Sequence, residues 1–201
     1  MLRPRIIPCL LIRNKGLVKT INFSNEKYVG DPINAVKIFN EKKVDELMII
    51  DIDSTVKKQD PNFDLIVKIA AESQMPICYT GGIKNVDQVK KIIGYGVEKV
   101  GISSSAISNP ELISNASKEV GSQSVVVVLD VKKKMLGGYS VYTHNGKNDT
   151  GYKLKSLVKD LTNRGAGELI INSIDNDGKM MGYDINIIKD IKENVSVPIT
   201  L

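Results

Sequence analysis

The sequence predicts an α/β fold: a (β/α)8 (TIM) barrel built from two repeated half-barrels and truncated after strand 7. Three observations point there. First, the chain repeats itself. Glu46-Leu47-Met48-Ile49-Ile50-Asp51-Ile52-Asp53 returns as Glu168-Leu169-Ile170-Ile171-Asn172-Ser173-Ile174-Asp175, and Pro76-Ile77-Cys78-Tyr79 returns as Pro198-Ile199-Thr200-Leu201, each 122 positions on (46 to 168, 76 to 198). Ile6-Ile7-Pro8-Cys9-Leu10-Leu11 faces Val125-Val126-Val127-Val128-Leu129-Asp130 at an offset of 119 (6 to 125). A repeated strand–helix block is the signature of a duplicated half-unit. Second, Leu47-Met48-Ile49-Ile50 and Val125 to Leu129 are apolar without polar alternation, as in parallel strands covered on both faces. Third, amphipathic stretches separate these runs at the spacing of parallel crossovers. A doubly wound open sheet competes, but the first strand–helix loop lacks G-x-G-x-x-G.

Strands are expected at 5–12, 46–53, 76–80, 98–103, 124–131, 168–174 and 197–201. A helix opens at Pro32 with Asp31 as its cap. Another runs from Asn85 to Ile93 and closes at Gly94 and Gly96. Asn109-Pro110-Glu111 opens a third, again as cap then proline, and helices at 155–164 and 184–194 follow, the last beginning at Asp184. Residues 13–31 read as a long first loop carrying Lys15-Gly16, Lys19 and Tyr28. Residues 132–151 read as a hairpin insert with turns at Gly137-Gly138 and Asn145-Gly146. Both follow barrel strands and so belong to the C-terminal face, where such barrels do their chemistry. No linker interrupts 1–201, so a single barrel domain is expected. A whole barrel takes about 250 residues. The last helices and strand 8 are therefore expected in a longer protein.

Apolar residues at 42% and charged residues at 25% fit a globular protein. No apolar run approaches a membrane span, and Met1-Leu2-Arg3-Pro4-Arg5 lacks the features of a secretory leader. A cytoplasmic location is expected. Cys9 and Cys78 lie inside apolar runs and read as buried thiols in a reducing compartment. They lack metal-ligand spacing, and His144 is the sole histidine, so neither a metal nor a cofactor is expected. The net charge of +5 comes from lysines spread along the chain; they read as solvated faces, with a field that favours anionic substrates as the functional alternative. No Trp and three Phe argue against a base-stacking surface for nucleic acid.

Three constellations could carry chemistry. Carboxylates end the strands: Asp51 and Asp53, Asp130, then Asp175 and Asp177. Such groups serve as general acids and bases or as turn formers and caps. For Asp53 and Asp175 the two roles weigh equally; Asp130, closing five apolar residues, favours function. The loops Thr80-Gly81-Gly82, Ser103-Ser104-Ser105 and Asp177-Gly178 precede helices and could offer backbone N–H groups to phosphates. Arg5, Glu46, Lys99 and Glu168 open strands one, two, four and six, a charged collar at the opposite pole, where barrels ordinarily build stability.

Across all 201 residues the sequence resembles the cyclase subunit of imidazole glycerol phosphate synthase, the HisF family. Arg5-Ile6-Ile7-Pro8-Cys9-Leu10, Gly30-Asp31-Pro32, Gly81-Gly82-Ile83, Asn109-Pro110-Glu111-Leu112-Ile113, Gly165-Ala166-Gly167-Glu168 and Asp175-Asn176-Asp177-Gly178 carry the resemblance. It implies a glutaminase partner whose ammonia passes through the barrel to a bisphosphorylated ribulosyl aminoimidazole carboxamide. Cyclisation then yields imidazole glycerol phosphate and an aminoimidazole carboxamide ribotide. The resemblance makes Asp130 an acid–base residue, Lys19 a catalytic residue of the first loop, and Asp51 and Asp177 substrate-orienting groups. It places phosphates at Gly81, Gly82, Ser103, Ser104 and Gly178, and an ammonia gate at Arg5, Glu46, Lys99 and Glu168.

The chain departs from the family at its substrate face. Leu11 stands where the family has a second catalytic carboxylate, and Thr80, Ser103 and Asn172 replace a glycine, an asparagine and a threonine. Two functions follow. One is a paralogue that docks a glutaminase and passes ammonia onward for glycosyl amidation in surface-polysaccharide synthesis, with a sugar amidotransferase as further partner. The other is the histidine-pathway cyclase (a lyase) itself. A generic phosphosugar-isomerising barrel would not need the collar.

Overall fold

The computed structural model describes residues 4–201; Met1-Leu2-Arg3, part of the stretch from which the absence of a leader was read, lie outside the described residues. The chain divides into two compact units. The first holds the described residues through Lys19 together with Lys27–Gly101, and the second holds Thr20–Glu26 and Ile102–Leu201.

β1 (Cys9–Arg13) turns through Asn14 and Lys15 into β2 (Gly16–Ile21), and β3 (Ser24–Gly30) follows; the first unit holds these strands except for Thr20–Glu26, which belong to the second. Asn14 and Lys15 both have positive φ, 49° and 66°, the backbone of the two-residue turn that matches strand twist. Leu11 pairs with Val18 across this antiparallel hairpin. The expected long loop at 13–31 is therefore a strand meander. Its polar, lysine-bearing residues hide a ladder that periodicity alone does not reveal. β1 is also shorter than 5–12, because Pro8 cannot donate to a ladder; its carbonyl instead accepts from Met48 N at 2.9 Å.

α1 (Pro32–Lys42), β4 (Leu47–Asp51), α2 (Phe63–Glu72), β5 (Ile77–Thr80), α3 (Val86–Gly94) and β6 (Lys99–Ile102) then alternate. Each helix starts on a side-chain cap. Asp31 accepts from Asn34 N, Asn62 from Leu65 N and Asn85 from Gln88 N, at 3.0, 3.2 and 2.9 Å. β1, β4, β5 and β6 pair in parallel, with Cys9↔Met48↔Cys78↔Lys99 in one row and Leu11↔Ile50↔Thr80↔Gly101 two residues further on. Val36, Ile66, Ile69, Val89 and Ile92 bury the helices against these strands. Cys78 is buried as expected, but Cys9 is exposed. β2 pairs with β1 over Leu11, Ile12 and Arg13.

In the second unit α4 (Ser104–Ser108) and α5 (Glu111–Val120) precede β7 (Val125–Lys133). The N-cap position of α5 falls on Pro110 and makes no side-chain cap, so Asn109 does not serve as the expected cap. Its carbonyl accepts from Leu112 N instead. β8 (Tyr139–Thr143) and β9 (Asn148–Lys153) form the expected hairpin insert, followed by α6 (Leu154–Asn163), β10 (Glu168–Ser173), α7 (Ile185–Ile191) and β11 (Ile199–Thr200). β7, β10 and β11 pair in parallel, with Asp130↔Asn172 and Leu169↔Ile199 in register. β8 joins β7 antiparallel, Tyr142 opposite Asp130. Asp130 therefore sits inside a nine-residue strand rather than at its end: the hairpin extends β7 beyond its pairing with β10.

The duplication reaches single hydrogen bonds. Ile52 N donates to Ile12 O in one unit, and Ile174 N to Val131 O in the other; Leu47 N donates to Pro76 O, and Leu169 N to Pro198 O. Asn14 N reaches the Asp53 carboxylate as Lys133 N reaches that of Asp175. Every pair obeys the offsets of 119 and 122 read from the sequence.

Candidate functional site

Parallel register on β7 and β10 sets Asp130 beside Asn172, whose Nδ2 donates to Asp130 Oδ1 at 2.9 Å. Asp130 keeps partial contact with solvent yet is crowded by protein. Desolvation is the largest influence and raises its pKa to about 6; the Asn172 hydrogen bond pulls it down, and the charge of Asp177 pushes it up. A carboxyl near neutrality, oriented by an amide, can give or take a proton.

The same positions in the first unit carry no such group. Leu11 and Ile50 are register partners, as Asp130 and Asn172 are. An oriented acid in one half is thus a pair of hydrocarbon side chains in the other. Thr80, the next residue in that row, buries its hydroxyl without a hydrogen-bond partner among the described residues.

The other carboxylates are engaged structurally. Asp51 Oδ1 accepts from the N–H groups of Asp53 and Ser54, at 3.0 and 3.1 Å, and closes the turn after β4. Asp53 binds Arg13 Nε at 3.0 Å and Lys57 Nζ at 2.7 Å. Burial pushes its carboxyl up, but Lys57, Arg13 and the Asn14 N–H outweigh this and hold it below the usual range. Asp177 Oδ2 accepts from Thr20 Oγ1 at 2.7 Å and Phe23 N at 2.9 Å, fastening the β2–β3 turn. A Cβ at Gly178 would lie 2.0 Å from Thr20 O, and its φ is +69°. Glycine is required there by the approach of protein backbone. Gly81 and Gly82 similarly leave room for Asp51, Ser54 and Gln59. Ser103 precedes α4 without a side-chain cap and Ser104 begins it, but that helix has only five residues. Lys19 is exposed on β2.

Of the charged collar, the structure joins three members. Arg5 Nη1 and Lys99 Nζ donate to the same oxygen, Glu46 Oε2, at 2.6 and 2.7 Å. Glu46 is 4% exposed, so two cations compensate one buried charge. Glu46 precedes β4 and Lys99 opens β6, as expected, whereas Arg5 lies four residues ahead of β1. Glu168, at the start of β10, is also buried and accepts from Thr200 Oγ1 at 2.9 Å.

The sequence reading noted Asn172 only as a departure and missed its link to Asp130. The signal was available, because an offset of 122 makes Asn172 the counterpart of Ile50. Thr20 was missed as the partner of Asp177; 157 residues separate them, and nothing local marks the contact.

Repeated strand–helix halves, with an oriented carboxyl beside the carboxyl-terminal side of a parallel pair, define the class of duplicated βα-barrel proteins. The model of the family described as "Histidine biosynthesis protein" matches residues 5–201, and the chain belongs to that family, whose fold is the (β/α)8 barrel. It is 54% identical over 202 residues to a Leptospira borgpetersenii protein provisionally named imidazole glycerol phosphate synthase subunit HisF, covering 100% of this chain and 80% of that protein. It is 49% identical over 202 residues to a Vibrio vulnificus protein provisionally named subunit hisF3 of the same synthase, covering 100% and 78%. The imidazole glycerol phosphate synthase subunit HisF of Streptococcus sanguinis is 38% identical over 199 residues, covering 99% and 79%. Among the described residues no helix is long and apolar enough to cross a membrane.

Proposed function

We propose that this chain is a HisF-type subunit that receives ammonia from a glutaminase and delivers it for amidation of a sugar. The observation that carries the reading is the contrast between equivalent pairs: Asp130–Asn172 in one half, Leu11–Ile50 in the other. Cyclisation in this family needs two proton-moving carboxylates, and each such group contributes roughly 10² to 10⁴ in rate. Leucine at position 11 supplies no proton path. The linked charges of Arg5, Glu46 and Lys99 support an ammonia gate on the glutaminase side, with Glu168 as its fourth member. Asp130 and Lys19 remain as catalytic groups, Asp51 and Asp177 as orienting groups, and Gly81, Gly82, Ser103, Ser104 and Gly178 as phosphate positions. Relatives named with copy numbers, such as the Vibrio protein, fit a paralogue beside a standard cyclase.

A second reading, the histidine-pathway cyclase itself, is favoured by likeness to the Streptococcus subunit and by an Asp130 that titrates near neutrality. Reconstitution with a purified glutaminase separates the two. The proposed module binds the glutaminase and raises glutamine hydrolysis without the histidine-pathway substrate. Failure of the glutaminase to bind sinks the proposal.

A further inference from the structure

The lysine run 132–134 divides in the structure. Lys133 and Lys134 are exposed, whereas Lys132 is half-buried. Lys132 lies two residues beyond Asp130 on β7, so strand alternation puts both side chains on one face. On that face Asp130 is opposite Tyr142 of β8 on one side and Asn172 of β10 on the other. The Lys132 ammonium sits 4.7 Å from the centre of the Tyr142 ring and donates to Gly146 O at 3.4 Å.

Neither contact uses up the cation. An ammonium carries three N–H donors; the bond to Gly146 is long, and a ring face attracts the charge without neutralising it. The carboxylates of the surrounding elements are engaged elsewhere. Asp130 is held by Asn172, Asp149 by Ser140 Oγ and Gly151 N, Asp175 by Lys133 N, and Asp177 by Thr20 and Phe23. Among the described residues Lys132 forms no ion pair. A half-buried ammonium that rests on a ring and a carbonyl keeps its charge for a further partner, and it does so beside an oriented carboxyl.

We propose that Lys132 is an anion-binding residue of the Asp130 site, taking a phosphate of the small molecule handled there, and that Tyr142 is the positioning residue that holds its ammonium in place. Lysine binds phosphate as a point charge, through charge-assisted hydrogen bonds about twice as strong as neutral ones. With the anion on Lys132, the neighbouring atoms of the same molecule come to Asp130. This adds a binding residue to the function proposed above; it rests on the Asp130 pairing and not on the charged collar.

The test titrates the purified protein with inorganic phosphate by calorimetry at fixed pH and ionic strength, with acetate in a parallel arm. The parent gives a saturable one-site isotherm with phosphate. Lys132→Met weakens it roughly 10-fold or more, the loss expected for a charge-assisted hydrogen bond, and Lys132→Arg restores most of it. Lys134→Met removes the same charge from an exposed neighbour and leaves the affinity unchanged. Tyr142→Leu weakens binding, whereas Tyr142→Phe, which keeps the ring, does not. All five variants keep the wild-type circular dichroism and glutaminase affinity. Equal phosphate affinity in the parent and Lys132→Met, an equal loss in Lys134→Met, or a parent that does not saturate overturns the role of Lys132. Saturation by acetate but not by phosphate overturns the choice of phosphate. Each of these results leaves the ammonia-delivery function standing. A glutaminase that fails to bind the parent sinks that function and leaves the role of Lys132 intact.

Discussion

Replacing Asn172 with leucine removes a side-chain donor to Asp130 and puts an apolar side chain of similar size on β10. A hydrogen bond to an ionised group is worth about 1.5–3 kcal/mol, and each pKa unit corresponds to about 1.4 kcal/mol. Asp130 retains some solvent contact, so the lower end applies: its pKa rises by about one unit, from about 6 to about 7. Carbon-detected NMR titration of the aspartate carboxyls, with Asp130→Asn assigning the resonance, measures the midpoint directly. An unchanged midpoint in Asn172→Leu refutes the view that this amide orients and acidifies Asp130. The same titration has a consequence for stability. The folded pKa lies above the ordinary carboxyl value, so the folded chain holds this proton more tightly than the unfolded one. The resulting stability is fully present below about pH 4 and is lost as the pH rises through about 6. Asp130→Asn should therefore be more stable than the parent at pH 8, by on the order of 1–2 kcal/mol after allowing for solvent screening, and should lose that advantage at pH 4.

Two further substitutions probe the frame around the site. Gly178→Ala forces a Cβ against Thr20 O at a positive φ. It should cost about 1–3 kcal/mol and speed proteolysis within residues 14–28; an unchanged melting temperature and cleavage pattern contradict the close approach. Lys99→Met leaves Glu46 with Arg5 as its recorded cation. It should cost about 1–3 kcal/mol, less than a lone buried pair because one cation remains. It should also uncouple glutamine hydrolysis from ammonia use while free ammonium salt still serves. Normal coupling in Lys99→Met removes that residue from the proposed gate.

The barrel strands were legible because the duplication is written in side chains that must be buried twice. Glu46 to Ile49 and Glu168 to Ile171 are buried in both halves, so the same residue types recur. Helix starts at Asp31, Asn85 and Asp184 were legible because capping is a local contact. The meander at 16–30 was not: β3 is polar and exposed, and exposed strands carry no burial pattern. The α5 start was misplaced because Asn109-Pro110 is a capping sequence whose side chain does not turn to cap here. Cys9 misled because an apolar neighbourhood in sequence does not fix burial at the first residue of a strand. Among the candidate site residues, Asp130 and the Glu46 cluster were singled out by type and position, and the structure sets Asn172 against Asp130 and joins Arg5 and Lys99 to Glu46. The duties of Asp177 and Gly178 depend on a segment far away in sequence, which no local motif encodes.

Turnover of the bisphosphorylated ribulosyl substrate by the purified full-length chain, supplied with ammonium salt, bears most directly on the missing acid. The parent should be slower than its Leu11→Asp variant by roughly 10²-fold or more. A parent that works at about 1–10³ s⁻¹, the usual range for enzymes, and gains nothing from Leu11→Asp would contradict the proposal that this chain delivers ammonia in place of cyclising that substrate.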